Sequence, residues 1–300
     1  VSGLFFLTAC KKNEPGSVEN GCNDLYGDPV FFATEYPQIF KLDFDNNDPS
    51  RIVFIYSTAD EEKIVLLDAE SGVLTSVYES DLRIGNLRIY EDRLLFSLVG
   101  GDVHIFDMGN NSLMQITNNP GCHYHVAWGP QGQSVYVSHS LCSEIGILQL
   151  DLEGNEISQY ENGLASSYRL RNDSLLLGTS GAALGYLNLY TGEYNHFLGS
   201  FDDFGDGTCD WINDHQVLRA GTQGVFIFNS ISSSQTKIRD ACPTELVYWV
   251  RKVPDENFAY AHKIDFWQTE NGSVLHSKFS FGKLNLSTGS FLEIPLELSE

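Results

Sequence analysis

Apolar and polar positions along this chain alternate in short runs separated by turn residues. The runs IVFIYS, LLFS, VYVS, LLLG, VLRA and FAYA end at Ser57, Ser97, Ser138, Gly178, Ala220 and Ala261, at intervals of 40, 41, 40, 42 and 41 residues. A second run follows each one: KIVLLD, DVHIFDM, IGILQLD, LGYLNL, GVFIFN and FGKLNL. Turn formers then stand at Ser71-Gly72, Gly109-Asn110, Glu153-Gly154, Thr191-Gly192, Ser232 to Ser234 and Thr288-Gly289, where the chain can reverse. No stretch after Cys10 keeps a helical period. A repeat of this length is one small sheet, which covers its faces only by stacking on its neighbours.

The fullest copy runs from Cys122 to Ile157: an apolar strand ending at Trp128, a Gly-Pro-Gln-Gly turn, two strands, a Glu-Gly-Asn turn and a closing strand. Six such units predict an all-β fold, a six-bladed β-propeller of four-stranded antiparallel blades occupying residues 29–300. The segment WGPQGQSVYVS resembles the Trp-Ser-Pro-Asp-Gly hairpin of TolB-like and WD-type propeller repeats, with Gly129 in place of Ser and Gln131 in place of Asp. The other units keep the spacing but depart from the motif, as in RIYEDRLLFS and RLRNDSLLLG. Trp128, Trp211 and Trp249 stand at equivalent places near the ends of three first strands and are expected to pack between blades. Either VFFATE, Val30 to Glu35, or the C-terminal FLEIPLEL completes the last blade.

The first residues, VSGLFFLTAC, join an apolar run to Leu7-Thr8-Ala9-Cys10, which resembles the lipobox of bacterial lipoproteins. That resemblance implies residues 1–9 as the remnant of a signal peptide, Cys10 as the lipidated residue and residues 10–28 as a flexible tether. It implies the bacterial cell envelope, and Lys11 after the cysteine points to the outer membrane. Several acyl chains, each buried methylene contributing about 0.8 kcal/mol, hold a protein at a membrane permanently. The formal charge of −22, from 18 Lys and Arg against 40 Asp and Glu, argues against nucleic acid as a partner. A cationic partner or divalent ions fit that balance.

Beyond Cys10 the chain carries Cys22, Cys122, Cys142, Cys209 and Cys242. A three-residue loop at Gln131 to Gln133 would set Cys122 opposite Cys142, a disulfide stabilising by about 3 kcal/mol through lost unfolded-chain entropy. Cys209 pairs with Cys242, or one of them with Cys22. The same register sets His125 opposite His139 with His123 nearby, either a transition-metal site or histidines bonded to loop carbonyls. FDDFGDG offers Asp202, Asp203 and Asp206 either as calcium ligands or as a solvated acidic turn. The chain has no Gly-x-Ser-x-Gly, His-Glu-x-x-His, P-loop or dinucleotide-binding motif. The expected function is a monomeric, non-enzymatic binding or scaffold module for an envelope protein, peptide or glycan, with no cofactor. The alternatives are an enzyme resembling lactonase- or lyase-type propellers with a divalent metal at the channel mouth, and a surface receptor for nutrient capture.

Overall fold

The computed structural model describes residues 38–298, except 46, 59, 70, 100–101, 119–124, 142–143, 162–165, 181–182, 198–207, 222, 241, 243–244 and 269–273. These residues form six sheets in chain order, each of four antiparallel strands, the first joined by a short fifth strand from the C-terminal end. Blade 1 consists of Gln38–Asp45, Asp48–Ser57, Glu62–Asp68 and Val73–Ser80, and blade 2 of Ile84–Tyr90, Arg93–Leu98, Val103–Asp107 and Ser112–Gln115. Blade 3 consists of Val126–Trp128, Ser134–Leu141, Glu144–Asp151 and Glu156–Tyr160, and blade 4 of Ser166–Arg171, Leu175–Ser180, Ala183–Asn188 and Tyr194–His196. Blade 5 is Thr208–Asn213, Gln216–Gly221, Gly224–Asn229 and Ser234–Asp240; blade 6 is Glu245–Lys252, Phe258–Gln268, Val274–Asn285 and Phe291–Glu293. First strands touch one another in succession, and that of blade 6 touches that of blade 1. The fold is a six-bladed β-propeller whose first strands surround the axis.

A side chain at the end of every third strand sets the common register. Asp68, Asp107, Asp151, Asn188, Asn229 and Asn285 each accept backbone N–H groups from the turn that follows. The residue before each cap pairs with Ile52, Leu94, Val135, Leu176, Val217 or Ala259 on the second strand. Those residues pair in turn with Phe44, Ile89, Trp128, Leu170, Trp211 and Lys252 on the first strand. Trp128 and Trp211 are therefore equivalent, but Trp249 is not. In blade 6 their place belongs to Lys252, and Trp249 lies three residues earlier, in a bulge between Tyr248 and Arg251 with φ +46°.

Six buried clusters fill the six gaps between blades. Phe96 and Leu94 meet Val53 and Ile55 of blade 1, and Trp128 and Val135 of blade 3 meet Leu95 and Val103 of blade 2. Tyr136 and Ile147 meet Leu176 of blade 4, and Trp211 and Phe228 of blade 5 meet Leu177. Leu218 and Val225 of blade 5 meet Val250 and Ala261 of blade 6. Fully burying a side chain such as Phe96 or Phe228 stabilises by about 1.5–3 kcal/mol.

The closing gap, between blades 6 and 1, is the most aromatic. Phe44, Phe54, Tyr260 and Phe281 pack together, with Tyr260 and Phe281 stacked at 5.4 Å. Phe291–Glu293 completes blade 6 by pairing with Gly282 to Leu284. The chain then reaches back to blade 1, where Glu297–Leu298 pairs in parallel with Val73 and Leu74 while Ile294 and Leu296 pack on the closing cluster. Gly72 permits this tail, because its φ is +76° and a Cβ there would lie 2.6 Å from the Pro295 carbonyl oxygen. Val30 to Glu35 lies outside the described residues.

His262 is also buried at this closure, its Nδ1 2.9 Å from the Ile39 carbonyl oxygen of blade 1, to which it donates. Among the described residues its Nε2 has no hydrogen-bond partner, and burial lowers its pKa to about 4.

Two predictions follow from this register and closure. Asn229→Ala should destabilise the protein by about 1 kcal/mol in urea unfolding, the usual cost of a lost side-chain cap on backbone N–H groups. The unfolded chain protonates His262 near its ordinary value of about 6.5 whereas the folded chain resists until about 4, so stability falls as pH drops through that window. Between pH 7 and pH 4.5 this contribution is on the order of 2 kcal/mol, and His262→Phe should remove it from the measured pH slope.

Candidate functional site

One residue before the first-strand register position, the six blades present Asp43, Arg88, Ala127, Arg169, Asp210 and Arg251. Arg169 of blade 4 comes within 3.6 Å of Asp43 of blade 1, and those blades stand opposite each other in a ring of six. The contact therefore crosses the axis. Arg251 bridges the two carboxylates, with Nε 2.7 Å from Asp43 and Nη1 2.8 Å from Asp210, while Arg169 lies 3.9 Å from Asp210.

Both carboxylates also tie their blade to the next one. Ile89 N–H of blade 2 donates to Asp43 Oδ2 at 3.0 Å, and Lys252 N–H of blade 6 donates to Asp210 Oδ2 at 2.8 Å. The two donors occupy equivalent positions. Arg251 further donates to the Phe44 carbonyl at 3.2 Å and lies 4.5 Å over the Phe44 ring.

Burial disfavours the charge on Asp43, but Arg251, Arg169, Arg88 and the Ile89 N–H outweigh it and hold the carboxyl below its ordinary value. Arg251 is shifted upward: Asp210 and Asp43 overcome the cost of burial. For Arg88, burial and the neighbouring Arg169 act together, and its pKa falls well below the ordinary guanidinium value. Among the described residues the axial layer holds three guanidiniums against two carboxylates, inside a chain of net charge −22.

Two residues before each of four axial positions stand Lys41, Asn86, His125 and Trp249, which form a second tier. Asn86 Nδ2 lies 3.2 Å from His125 Nδ1, and Lys41 Nζ lies 5.4 Å from the centre of the Trp249 ring. A bulge between Phe40 and Asp43, with Lys41 at φ +57°, places the lysine there. Burial first, then Lys41 and Arg88, lower the His125 pKa to about 3, so its imidazole is neutral at pH 7.

The Trp128 hairpin differs from the expected register by one residue. Its loop has four residues, Pro130 to Gln133, closed by Gly129 N–H to the Ser134 carbonyl at 2.8 Å, with Gln131 at φ +51° and Gly132 at φ +63°. His125 accordingly exchanges hydrogen bonds with Ser138 and not with His139, whose backbone pairs with Gly146. Cys10, Cys22, Cys122, His123, Cys142, Asp202, Asp203 and Asp206 lie outside the described residues. Cys209 is a buried thiol, its pKa pushed up to about 12 by burial, so it does not take the pairing with Cys242. Trp128 lies 6.0 Å from Tyr90 and 5.0 Å from Arg93 of blade 2, and Trp211 lies 5.7 Å from Phe197 of blade 4.

Among the described residues no group of three or more His, Cys, Asp or Glu side chains is placed to hold a metal ion, and no helix is long and apolar enough to cross a membrane. The axial charges were missed in the sequence because each is a single residue in an apolar strand. Their signal was nevertheless present, as Asp, Arg, Arg, Asp and Arg one place before the register position in LDF, LRI, YRL, CDW and VRK.

No family profile and no curated protein matches the chain. Among solved structures it is similar to TolB from Acinetobacter baumannii, with a TM-score of 0.56, 14% identity and 66% of this chain covered. The match spans 53% of that TolB chain, about half its length. A chain of the mitotic checkpoint complex is similar over 97% of this chain and 86% of its own, with a TM-score of 0.56 and 12% identity. A chain of the nidogen/laminin complex is similar over 66% and 78%, with a TM-score of 0.54 and 12% identity. At these identities the likeness is one of fold.

Removing one carboxylate from the axial layer leaves buried positive charge without its partner. Asp210→Ala should therefore destabilise the protein by about 3–5 kcal/mol, measured as a shift in the urea midpoint at unchanged slope.

Proposed function

We propose that the chain is a lipid-anchored binding module of the bacterial envelope, in which the propeller presents the Lys41 end of its axis to an envelope protein or peptide. The observation that carries this reading is the protonation state of the axial groups. Asp43 is held ionised, guanidiniums do not exchange protons near neutrality, and His125 and His262 have pKa values lowered to about 3 and about 4. General acid–base chemistry works best with a group titrating near the operating pH. These groups suit recognition by fixed charge better than proton transfer.

A catalytic divalent ion at this end of the channel would approach Lys41 and three guanidiniums, which argues against the metal-dependent alternative. The anchor is supported by Leu7-Thr8-Ala9-Cys10 and by the polar stretch after it. Scaffold and binding roles also agree with the likeness to TolB in fold.

Expressed behind a complete lipoprotein signal peptide that ends in Leu7-Thr8-Ala9-Cys10, in a bacterium that processes lipoproteins, the chain should fractionate with membranes, and Cys10→Ser should move it to the soluble fraction by about tenfold or more. A Cys10→Ser protein that stays with membranes would overturn the anchor. Elemental analysis of the purified chain should find no stoichiometric divalent ion, whereas one held by His123, His125 and His139 would favour the enzyme. Cross-linking in intact cells should capture a partner at the Lys41 end of the axis.

A further inference from the structure

We propose that the hairpin of blade 6 is a second membrane contact, which inserts Phe266 and Trp267 into the surface of a zwitterionic bilayer, an inference that rests on the lipid-anchor reading above. All six second strands end at the face where Gln38 opens blade 1, since Gln38 pairs with Ser57. Five of them finish four to six residues past their register positions, whereas that of blade 6 runs nine residues past Ala259, to Gln268. Its partner strand keeps pace: Phe266 stands opposite Ser277, Trp267 opposite His276 and Gln268 opposite Val274. At about 3.3 Å per residue, the hairpin rises roughly 10–17 Å above the level at which the other blades end.

The rising part is rich in apolar residues. Phe266, Trp267, Val274 and Leu275 all fall beyond the pair Asp265 and Lys278. Tryptophan collects at the boundary between headgroups and acyl chains, which accommodates both its apolar ring and its N–H. A second apolar spot lies on the same face at the junction of blades 1 and 2. There Leu82 is 55% and Val99 49% exposed, and the Val99 N–H donates to the Arg83 carbonyl at 2.7 Å, which joins the two segments. Blade 1 stands between this spot and the hairpin, and through its first residue, Gln38, the chain runs back to Cys10. The hairpin, the Leu82 spot and the junction with the tether thus share one side of one face.

Acyl chains on a polar tether hold a domain at the membrane but leave its orientation free. Insertion of the hairpin turns this face to the bilayer and keeps the rest of it off the surface, so the Lys41 end stays open to a partner at the membrane. The net charge of −22 gives no attraction to anionic headgroups, and the contact is therefore apolar. A few apolar side chains attach only reversibly, so a Cys10→Ser chain is still released on fractionation.

The test holds the Cys10→Ser chain by an N-terminal histidine tag on nickel-chelating phosphatidylcholine vesicles, where attachment needs no lipidation. Lipids brominated in their acyl chains should quench its tryptophan fluorescence, and Trp267→Phe should remove most of that quenching, because Trp128 and Trp211 are buried between blades. Without the tag, the same chain should partition onto phosphatidylcholine vesicles about tenfold more strongly than a variant that also carries Phe266→Ser and Trp267→Ser, the factor expected when a large apolar side chain stays in water. Circular dichroism checks the fold of each variant.

No quenching of the tagged chain, quenching undiminished in Trp267→Phe, or equal partition with and without the serine substitutions would overturn the insertion. Tighter partition on phosphatidylglycerol vesicles would overturn it in favour of attachment by charge. A photo-reactive residue at position 267 that cross-links an envelope protein and no lipid in intact cells would assign the hairpin to a protein instead. Quenching of the tagged chain, together with a Cys10→Ser chain that stays with cell membranes, would remove the anchor and leave the hairpin contact standing. Release of the Cys10→Ser chain without quenching of the tagged one would do the reverse.

Discussion

A four-stranded sheet has two faces, and in this chain neither can face water, because the apolar residues of each blade fall on both sides. In blade 1, Ile52 and Phe54 point toward blade 6 while Val53 and Ile55 point toward blade 2. Each blade is therefore stable only between two neighbours, and the arrangement must close on itself. Closure places the greatest demand on the gap between the first and last blades, where Phe44, Phe54, Tyr260 and Phe281 gather and the chain after Phe291–Glu293 returns to the edge of blade 1. That returning segment also covers an edge that would otherwise present unpaired backbone groups.

Closing six sheets around an axis brings six first strands together, and their inward side chains must fill a narrow space. Three blades supply arginine and two supply aspartate, so charges from neighbouring and from opposite blades neutralise one another. Buried ion pairs add little net stability over an apolar filling, but each carboxylate here also accepts a backbone N–H from the following blade. The layer thus relates blade 1 to blade 2 and blade 5 to blade 6 in the same geometry. Among the described residues the layer holds three guanidiniums against two carboxylates at the centre of an acidic protein.

Local details of the chain decided features that the repeat alone left ambiguous. A four-residue turn at Pro130 to Gln133, where three residues were expected, moved His125 from opposite His139 to opposite Ser138. In a strand, one residue of register exchanges one face for the other. Similarly, a bulge displaced Trp249 from the register position of Trp128 and Trp211, although it still packs between blades, against Phe40 of blade 1 in the closing gap. An aromatic residue at matching spacing was not enough to establish equivalence.

The spacing of apolar runs was sufficient to read six blades, the order of their strands and the turn after each third strand, because these follow from local alternation and from turn-forming residues a few positions apart. The Asp or Asn caps at Asp68, Asp107, Asp151, Asn188, Asn229 and Asn285 belong to that local category, and a repeat aligned on them has the register found in the fold. The axial site is of another kind. Asp43 meets Arg169 and Arg251 across more than a hundred intervening residues, and only the closing of the ring brings them together. Pairings across the axis, and the field they leave at His125, depend on angles between blades, which no spacing along the chain encodes.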